Sequence, residues 1–327
     1  MPTTSPVNYG ITNAYQELVS EWTNTMAQRE FEFEPFTRIH TDNAAQIRRW
    51  GDLPIGRMPT WNGEAAIASQ EVGATNVNSY SPTGKALKVE ILNFDVIHNP
   101  GIVQKKLQQL QDAVVTTANA LVFGALESAD SDTYDNGAGG TSPVIGTTHK
   151  YATPGDADGV LDQNQSNYLT TALSYDGLSS GLQLLQEFRD MSGEPIGLGK
   201  GALVLVVPPG LYSTAINLVG GPSIVISESA DNQAAPYANL TKMGSLNPYG
   251  QGNIQVVSSA FLSDSNDWFL CETSASDKTP VNFWTAGMPT INVTVDEANL
   301  KTVITASAFM RAWIDGPSAG IVGSYVA

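Results

Sequence analysis

Cysteine, histidine and long apolar runs are scarce in this chain of 327 residues. The single cysteine, Cys271, excludes an intrachain disulfide, and its place in the apolar run 268–271 predicts a small buried side chain. No run approaches the roughly 18 apolar residues that a membrane-spanning helix requires. Residues 1–6 lack the basic-then-apolar pattern of a secretion signal. We therefore expect a protein that is made and assembled in a reducing cytoplasm, without a membrane span.

Charge is also scarce, and most of it is negative. Charged residues make up 15% of the chain, with 16 Lys and Arg against 32 Asp and Glu, for a net charge of −16. The densest basic spots are the pairs at 48–49 and 105–106, too little for a protein that reads DNA sequence through a basic face. The 42% of hydrophobic residues indicates a folded protein, long enough for about two domains. Low charge density fits a protein with much of its surface in interfaces, and it fits an ordinary soluble protein equally well.

The motif of a hydrolase active site is incomplete. Residues 177–181 match the G-x-S-x-G pattern, in which Ser179 would be the nucleophile. That pattern requires a histidine further along the chain, whereas His40, His98 and His149 all precede Ser179. The contexts of the three histidines do not suggest a ligand cluster either. We therefore predict no catalytic residue.

Two loops resemble ligand-binding motifs without completing them. Residues 197–201 could form a phosphate-binding loop, but Glu194 and Gly201 stand where the motif requires glycine and Ser or Thr. Residues 130–137 could form a calcium loop, but Tyr134 and Asp135 take its fifth and sixth positions, which require an oxygen ligand and glycine. The sequence therefore predicts no cofactor, no cofactor-binding residue and no metal ligand.

The first hundred residues combine one helical pattern with extended segments. Apolar residues from Ile11 to Trp22 recur at spacings of three and four, which predicts a helix over residues 9–29. Its apolar face could pack on the chain's own core or on a neighbouring subunit. A proline-rich stretch, a turn at 81–84 and an alternating run over 85–97 then predict a two-stranded excursion.

The longest predicted helix spans residues 100–127, about 40 Å at 1.5 Å per residue. Asn99 is a good N-cap, and Pro100 suits the first helical position. The predicted buried stripe steps by threes and fours through Val103, Leu107, Leu110, Val114, Thr117, Leu121 and Ala125. The predicted polar face carries Gln104, Gln108, Gln111 and Thr116.

The second half alternates helix and strand. Asp176 is predicted to cap a helix over residues 177–190. The run Ala202–Val207 predicts a buried strand, which Pro208 and Pro209 stop before a helix over 211–219. A turn cluster at 247–253 leads into a further strand, 268–273 predicts another, and 280–314 returns as two-faced antiparallel strands.

This order of elements resembles the major head subunit of Mu-like tailed phages, a branch of the HK97-type capsid fold. The resemblance rests on the strand Ala202–Val207, the double proline after it, the turn cluster and strand of 247–259, and the strand Trp268–Thr273. It covers about residues 53–313 and is strongest over 178–273. The match is one of order and spacing, without a short catalytic signature.

The resemblance implies an α+β, HK97-like capsid fold with an N-terminal arm, an E-loop β-hairpin, a peripheral domain built on a long spine helix, and an axial domain. The corresponding segments are 1–50 for the arm, 51–98 for the E-loop hairpin, 99–200 for the peripheral domain with its spine helix (100–127) and second helix (177–190), 201–266 for the axial domain, and 267–327 for strands that return to the peripheral domain.

The same resemblance implies a structural protein and not an enzyme. Its copies would assemble into pentamers and hexamers of an icosahedral shell around double-stranded DNA, held without sequence-specific binding. The protein would be part of the virion capsid, assembled in the host cytoplasm with a separate scaffolding protein, a portal and a decoration protein. Two alternatives stay open: an encapsulin-like nanocompartment shell, and a soluble α/β enzyme or binding domain.

Overall fold

The computed structural model describes residues 17–42, 46–52, 74–99, 101–136, 140–154, 160–220, 254–273, 279–296, 298–316 and 320–326. Within these ranges helices pack on two five-stranded sheets. One cluster of buried apolar side chains includes the first sheet and one face of the second sheet, and another cluster lies on the opposite face of the second sheet. The α+β class predicted from the sequence is confirmed. Three predicted segments lie outside the described residues: residues 9–16 of the first predicted helix, residues 53–73 of the predicted two-stranded excursion, and the turn cluster 247–253.

The described residues contain five α-helices, besides two 3-10 helices at Glu34–Phe36 and Pro209–Leu211. The α-helices are α1 (17–26), α2 (Asn93–His98), α3 (Gly101–Glu127), α4 (Tyr175–Glu187) and α5 (Tyr212–Gly220). The strands of the first half are β1 (Thr37–His40), β2 (Ile47–Asp52), β3 (Ala74–Tyr80), β4 (Thr83–Leu92), β5 (Thr133–Asp135), β6 (Thr141–Pro143), β7 (His149–Tyr151), β8 (Gln163–Gln165) and β9 (Tyr168–Leu169). The strands of the second half are β10 (Leu203–Val207), β11 (Ile254–Ser258), β12 (Trp268–Glu272), β13 (Val281–Thr285), β14 (Thr290–Asp296), β15 (Lys301–Ile314) and β16 (Ile321–Ser324).

The first sheet is built on the long strand β15. One edge of β15 pairs antiparallel with β4, and the other pairs with β14 and then with β13. The strand β1 extends the sheet in parallel to β13. Successive side chains of a strand point to opposite faces, so the even-numbered residues 302–310 face α3 and are buried. The alternation predicted for this stretch is confirmed.

The helix α3 has the predicted length, but its buried stripe changes track halfway along. Val103, Leu107, Leu110 and Val114 are buried as predicted. Beyond Val114 the buried residues are Ala118, Asn119, Val122, Phe123 and Leu126, whereas Thr117, Leu121 and Ala125 are only half-buried. Both tracks step by threes and fours, so spacing alone does not choose between them. The residues packed against the helix make the choice.

The N-terminal segment packs on the chain's own core over its described part. Phe33 and Phe36 are fully buried, and Phe33 lies 4.9 Å from Phe283 of β13 between ring centroids. The Ser259 hydroxyl donates to the Glu32 carboxylate at 2.6 Å, which ties this segment to the end of β11. The predicted arm could have packed on the chain's own core or on a neighbouring subunit. Its residues 17–40 pack on the chain's own core.

The second sheet has the order β11-β10-β12-β16-β9. All five residues of β10 and of β12 are buried, as the uninterrupted apolar runs predict. Cys271 of β12 is fully buried, which confirms its predicted place. The Trp268 ring lies so close to Gly181 of α4 that an added Cβ there would stand 3.1 Å from the ring. Glycine therefore lets α4 approach the sheet closely.

Several details differ from the sequence predictions. The strand predicted to continue to residue 97 ends at Leu92, and α2 follows. The side chain that caps α4 is Ser174, which accepts from the Gly177 N–H at 3.1 Å; Asp176 lies inside the first turn. The strands β12 and β16 pair into the second sheet, although residues 267–327 were predicted to return to the peripheral domain. The division into arm, hairpin, peripheral and axial domains stays a prediction.

Candidate assembly surface

The residues of the incomplete hydrolase motif do not form a pair of nucleophile and base. Ser179 lies exposed on α4. His149 is buried between the Tyr134 hydroxyl and Asn167, and His98 contacts the Phe94 carbonyl. Among the described residues, no histidine therefore forms the contact with Ser179 that a hydrolase requires.

The glycine-rich loop before β10 binds a carboxylate of its own chain. The Gly199 N–H donates to the Glu272 carboxylate at 2.8 Å, and Glu272 is buried. Gly197 and Gly199 have φ values of 72° and 73°, a backbone conformation that favours glycine. A phosphate at this place would meet a negative charge, so the loop does not fit a nucleotide.

The acidic segment 130–137 does not form a calcium loop over its described residues. The Asp132 carboxylate accepts from the Ser128 hydroxyl at 2.8 Å, and Tyr134 lies in β5 with its hydroxyl on His149. In the part of the chain that the structure describes, no three His, Cys, Asp or Glu side chains are grouped as a metal site. No helix of that part is long and apolar enough to cross a membrane.

A buried network around Asn167 joins the C-terminal strand to the middle of the chain. The Asn167 amide nitrogen donates to the Val144 and Ile321 carbonyls, both at 3.1 Å. Its amide oxygen accepts from the Gly146 N–H at 2.8 Å and lies 2.7 Å from His149 Nε2. Burial of His149 lowers its pKa to about 4. The imidazole is therefore neutral near pH 7, and the network joins the start of β16 to residues 144–149.

Aromatic rings anchor the base of the β2–β3 hairpin on the first sheet. Tyr80, the last residue of β3, stacks on Trp313 of β15 with ring centroids 4.7 Å apart. His40 stacks on the same indole at 5.6 Å. The Trp284 indole N–H donates to the Asp42 carbonyl at 2.9 Å. The two strands that flank residues 53–73 are therefore connected to buried side chains of the first sheet.

An apolar cleft of about 260 Å³ opens between α3 and the first sheet. Leu110 and Val114 line its helix side, and Ala306 and Ala308 of β15 line its sheet side. Leu87 also lines the cleft and is half exposed. Such a lining suits an apolar side chain better than a charged substrate.

Exposed apolar residues concentrate at one end of the same sheet. Leu92, Phe94, Ile97 and Leu300, which we call the tip patch, are 52%, 67%, 75% and 67% exposed. The Asn93 N–H donates to the Leu300 carbonyl at 2.8 Å, so the β14–β15 turn lies beside the start of α2. Phe94 and Ile97, three residues apart on α2, share one helix face. The tip patch has the character of a contact surface.

Comparison with known proteins identifies the family. Residues 79–322 match the family model described as phage capsid protein. No curated protein sequence matches the chain. Among solved structures, the capsid of an empty GTA particle has a TM-score of 0.55 at 11% identity, with 91% of each chain covered. The procapsid of bacteriophage JBD30 has a TM-score of 0.53 at 11% identity, covering 99% of this chain and 77% of that one.

A virus-like particle from Pyrococcus furiosus is also similar, with a TM-score of 0.50 at 10% identity over 95% of this chain and 98% of the other. At such identities the structural likeness shows the fold, which is the HK97-type capsid fold implied by the sequence. The family match covers most of the chain and points to a structural protein. The chain belongs to the phage capsid protein family.

Proposed function

We propose that copies of this chain assemble into pentamers and hexamers that form an icosahedral shell around double-stranded DNA. The observation that carries the proposal is the tip patch, whose four apolar side chains are more than half exposed in a single chain. Closed symmetric assemblies use one surface many times, so a small exposed patch can become a repeated contact.

The shell would enclose DNA without reading its sequence. The net charge of −16 and the lack of a basic run disfavour a DNA-reading surface. An acidic inner surface would repel phosphate, so DNA could move freely during filling. The protein would act as a structural component of the virion capsid, with no catalytic step of its own.

Assembly would take place in the host cytoplasm with help from other proteins. A separate scaffolding protein, a portal and a decoration protein are the partners that we propose. The anchored base of the β2–β3 hairpin supports a role for residues 51–98 as the E-loop hairpin.

The experiment is to purify particles from cells that express the chain and to identify their contents. We expect closed shells in electron micrographs, and nuclease-resistant double-stranded DNA when the shells come from infected cells. Shells filled with one protein cargo and no genome would instead indicate a nanocompartment. A small oligomer with no shells in either preparation would overturn the proposal.

A further inference from the structure

Small side chains leave the apolar cleft between α3 and the first sheet open. Ala113 of α3 lines it on one side, and Ala306 and Ala308 of β15 line it on the other. A leucine at any of these three positions would occupy part of the space of about 260 Å³. The three alanines therefore determine how much room the cleft has.

The walls of the cleft belong to the folded core. Leu110 and Val114 of α3 and Met310 of β15 line the cleft, and all three are buried. The same side chains are members of the apolar cluster that includes the first sheet. A pocket whose walls are already packed needs no rearrangement to receive a ligand, so binding costs little ordering of the protein.

The two hydroxyl groups among the lining residues are engaged within the chain. The Thr117 hydroxyl donates to the Ala113 carbonyl at 2.7 Å, and the Ser307 hydroxyl lies 2.9 Å from the Thr290 hydroxyl. A polar group inside the cleft would give up its hydrogen bonds to water without gaining these hydroxyls, whereas an apolar group has none to give up. The interior of the cleft therefore selects for an apolar ligand.

The mouth of the cleft lies on β4, which pairs with β15 alone in the described part of the chain. Lys85 of β4 points to the α3 side of the sheet, because its register partner is Ala308. Lys85 is the one charged residue of the lining, and among the described residues no Asp or Glu forms an ion pair with it. Lys88 points to the opposite face, where it contacts Glu90 at 2.6 Å. An anionic group at the mouth would therefore meet a cation and no acidic residue of the lining.

The volume of the cleft sets the size of the ligand. An apolar protein cavity of about 150 Å³ holds benzene, so by proportion about 260 Å³ holds an apolar group of roughly ten carbon atoms. An inorganic anion would gain nothing from the apolar lining, and an alkane would gain nothing from Lys85. The ligand that uses both features is a small amphiphile with an apolar tail and an anionic head.

We propose that the cleft binds a free aliphatic carboxylate of roughly ten carbon atoms, with its tail between α3 and β15 and its carboxylate on Lys85. The proposal goes beyond the proposed function, because it concerns the single chain and does not require a shell. A bound tail would contact both α3 and β15 and would stabilise the folded subunit.

The test titrates decanoate, below its micelle-forming concentration, into the purified full-length chain. Calorimetry should show saturable binding of about one decanoate for each chain, and the thermal midpoint should rise with decanoate concentration. Decyltrimethylammonium, which has the same tail and the opposite charge, should bind roughly tenfold more weakly. No saturable binding of decanoate, or equal binding of the two amphiphiles, would overturn the inference.

Two pairs of variants locate the site. Ala113→Leu should weaken decanoate binding by roughly tenfold or more without lowering the thermal midpoint, because leucine fills the cleft. Ala120→Leu is its control, since Ala120 is exposed on the same helix and does not line the cleft. Lys85→Gln should weaken binding by about three- to fivefold, as expected for one exposed ion pair, and Lys88→Gln on the opposite face should leave it unchanged. Equal effects within either pair would overturn the inference.

Other occupants of the cleft would give different results. Binding to phosphatidylglycerol vesicles without binding of decanoate would point to a bilayer surface. Loss of particles in Ala113→Leu, for a chain that binds no decanoate, would point to an apolar side chain of a neighbouring copy. Either result would overturn the inference and leave the proposed function standing. Decanoate binding by a wild-type chain that never forms particles would support the inference and overturn the proposed function.

Discussion

Trp22 of α1 and Gln111 of α3 connect the two helices by hydrogen bonds in both directions. The Gln111 side-chain amide donates to the Trp22 carbonyl at 3.0 Å, while the Trp22 indole N–H donates to the Leu107 carbonyl, one turn before Gln111, at 3.1 Å. Both residues are buried: Trp22 is 3% exposed and Gln111 is 4% exposed. The glutamine predicted for the polar face of α3 therefore binds α1 to the core.

We predict that Gln111→Ala destabilises the subunit. The lost hydrogen bond costs about 1 kcal/mol, and the space left by the side chain adds to the loss. Chemical denaturation of the purified variant measures the change in the free energy of unfolding. Gln108→Ala is the control, because Gln108 is exposed on the same helix and should change stability by less than about 0.5 kcal/mol. Equal stability of both variants would show that the α1 contact contributes nothing.

Leu110 tests the central part of α3. It is 1% exposed, so Leu110→Ala should cost about 2–5 kcal/mol, and Leu110→Asp should abolish the soluble subunit because it buries an unpaired charge. Soluble expression and circular dichroism measure the outcome. A folded Leu110→Asp protein that still forms particles would contradict the placement of this helix face against the sheet.

The pH dependence of stability should include a contribution from His149. Its pKa is about 4 in the folded chain and 6.5 in the reference state, so the unfolded chain binds more protons between these values. The contribution of His149 to the free energy of unfolding is therefore complete above pH 6.5. It falls by roughly 3 kcal/mol in all as the pH is lowered towards 4. Denaturation midpoints at pH 7.5 and 4.5 measure it.

His149→Gln provides the comparison for this pH dependence. The variant loses the titrating group, so its stability should fall less between pH 7.5 and 4.5 than that of the wild type. Carboxylates titrate in both proteins, and the difference between them therefore isolates the imidazole. Parallel pH profiles for the two proteins would show that His149 does not stay neutral in the fold.

We predict that the segment between β2 and β3 can be removed while the subunit stays folded. Asp52 and Ala74 are register partners, so a short Gly-Ser linker can join the two strands in place of residues 54–72. We expect this variant to keep the subunit's thermal midpoint and to form no particles, because the proposed E-loop is gone. The same linker in place of residues 155–159 is the control. Normal particles from the shortened hairpin would contradict the E-loop assignment.

The sequence predicted the elements whose pattern has one interpretation. The run Leu203–Val207 is a buried strand because five apolar residues between turn signals have no polar face to expose. The length of α3 followed from its cap and its uninterrupted spacing. The order of such elements was enough to indicate the capsid fold.

What the sequence did not predict depends on contacts between distant segments. Residues 93–98 continue an alternating run, yet the strand ends at Leu92, where its partner strand β15 begins at Lys301. Gln111 is buried because α1 packs on it. Asparagine adopts the left-handed backbone conformation more readily than leucine does. In the β14–β15 turn, however, the Asn299 side chain donates to Asp296, and Leu300 is the residue with a positive φ. The tip patch could therefore not be located from the sequence.

Sedimentation velocity of the purified full-length chain over a range of concentrations, with electron microscopy of each fraction, tests most directly whether this capsid protein assembles with itself. The account predicts fast-sedimenting pentamers, hexamers or closed shells whose share rises with concentration. A stable monomer whose sedimentation coefficient does not change with concentration would contradict it.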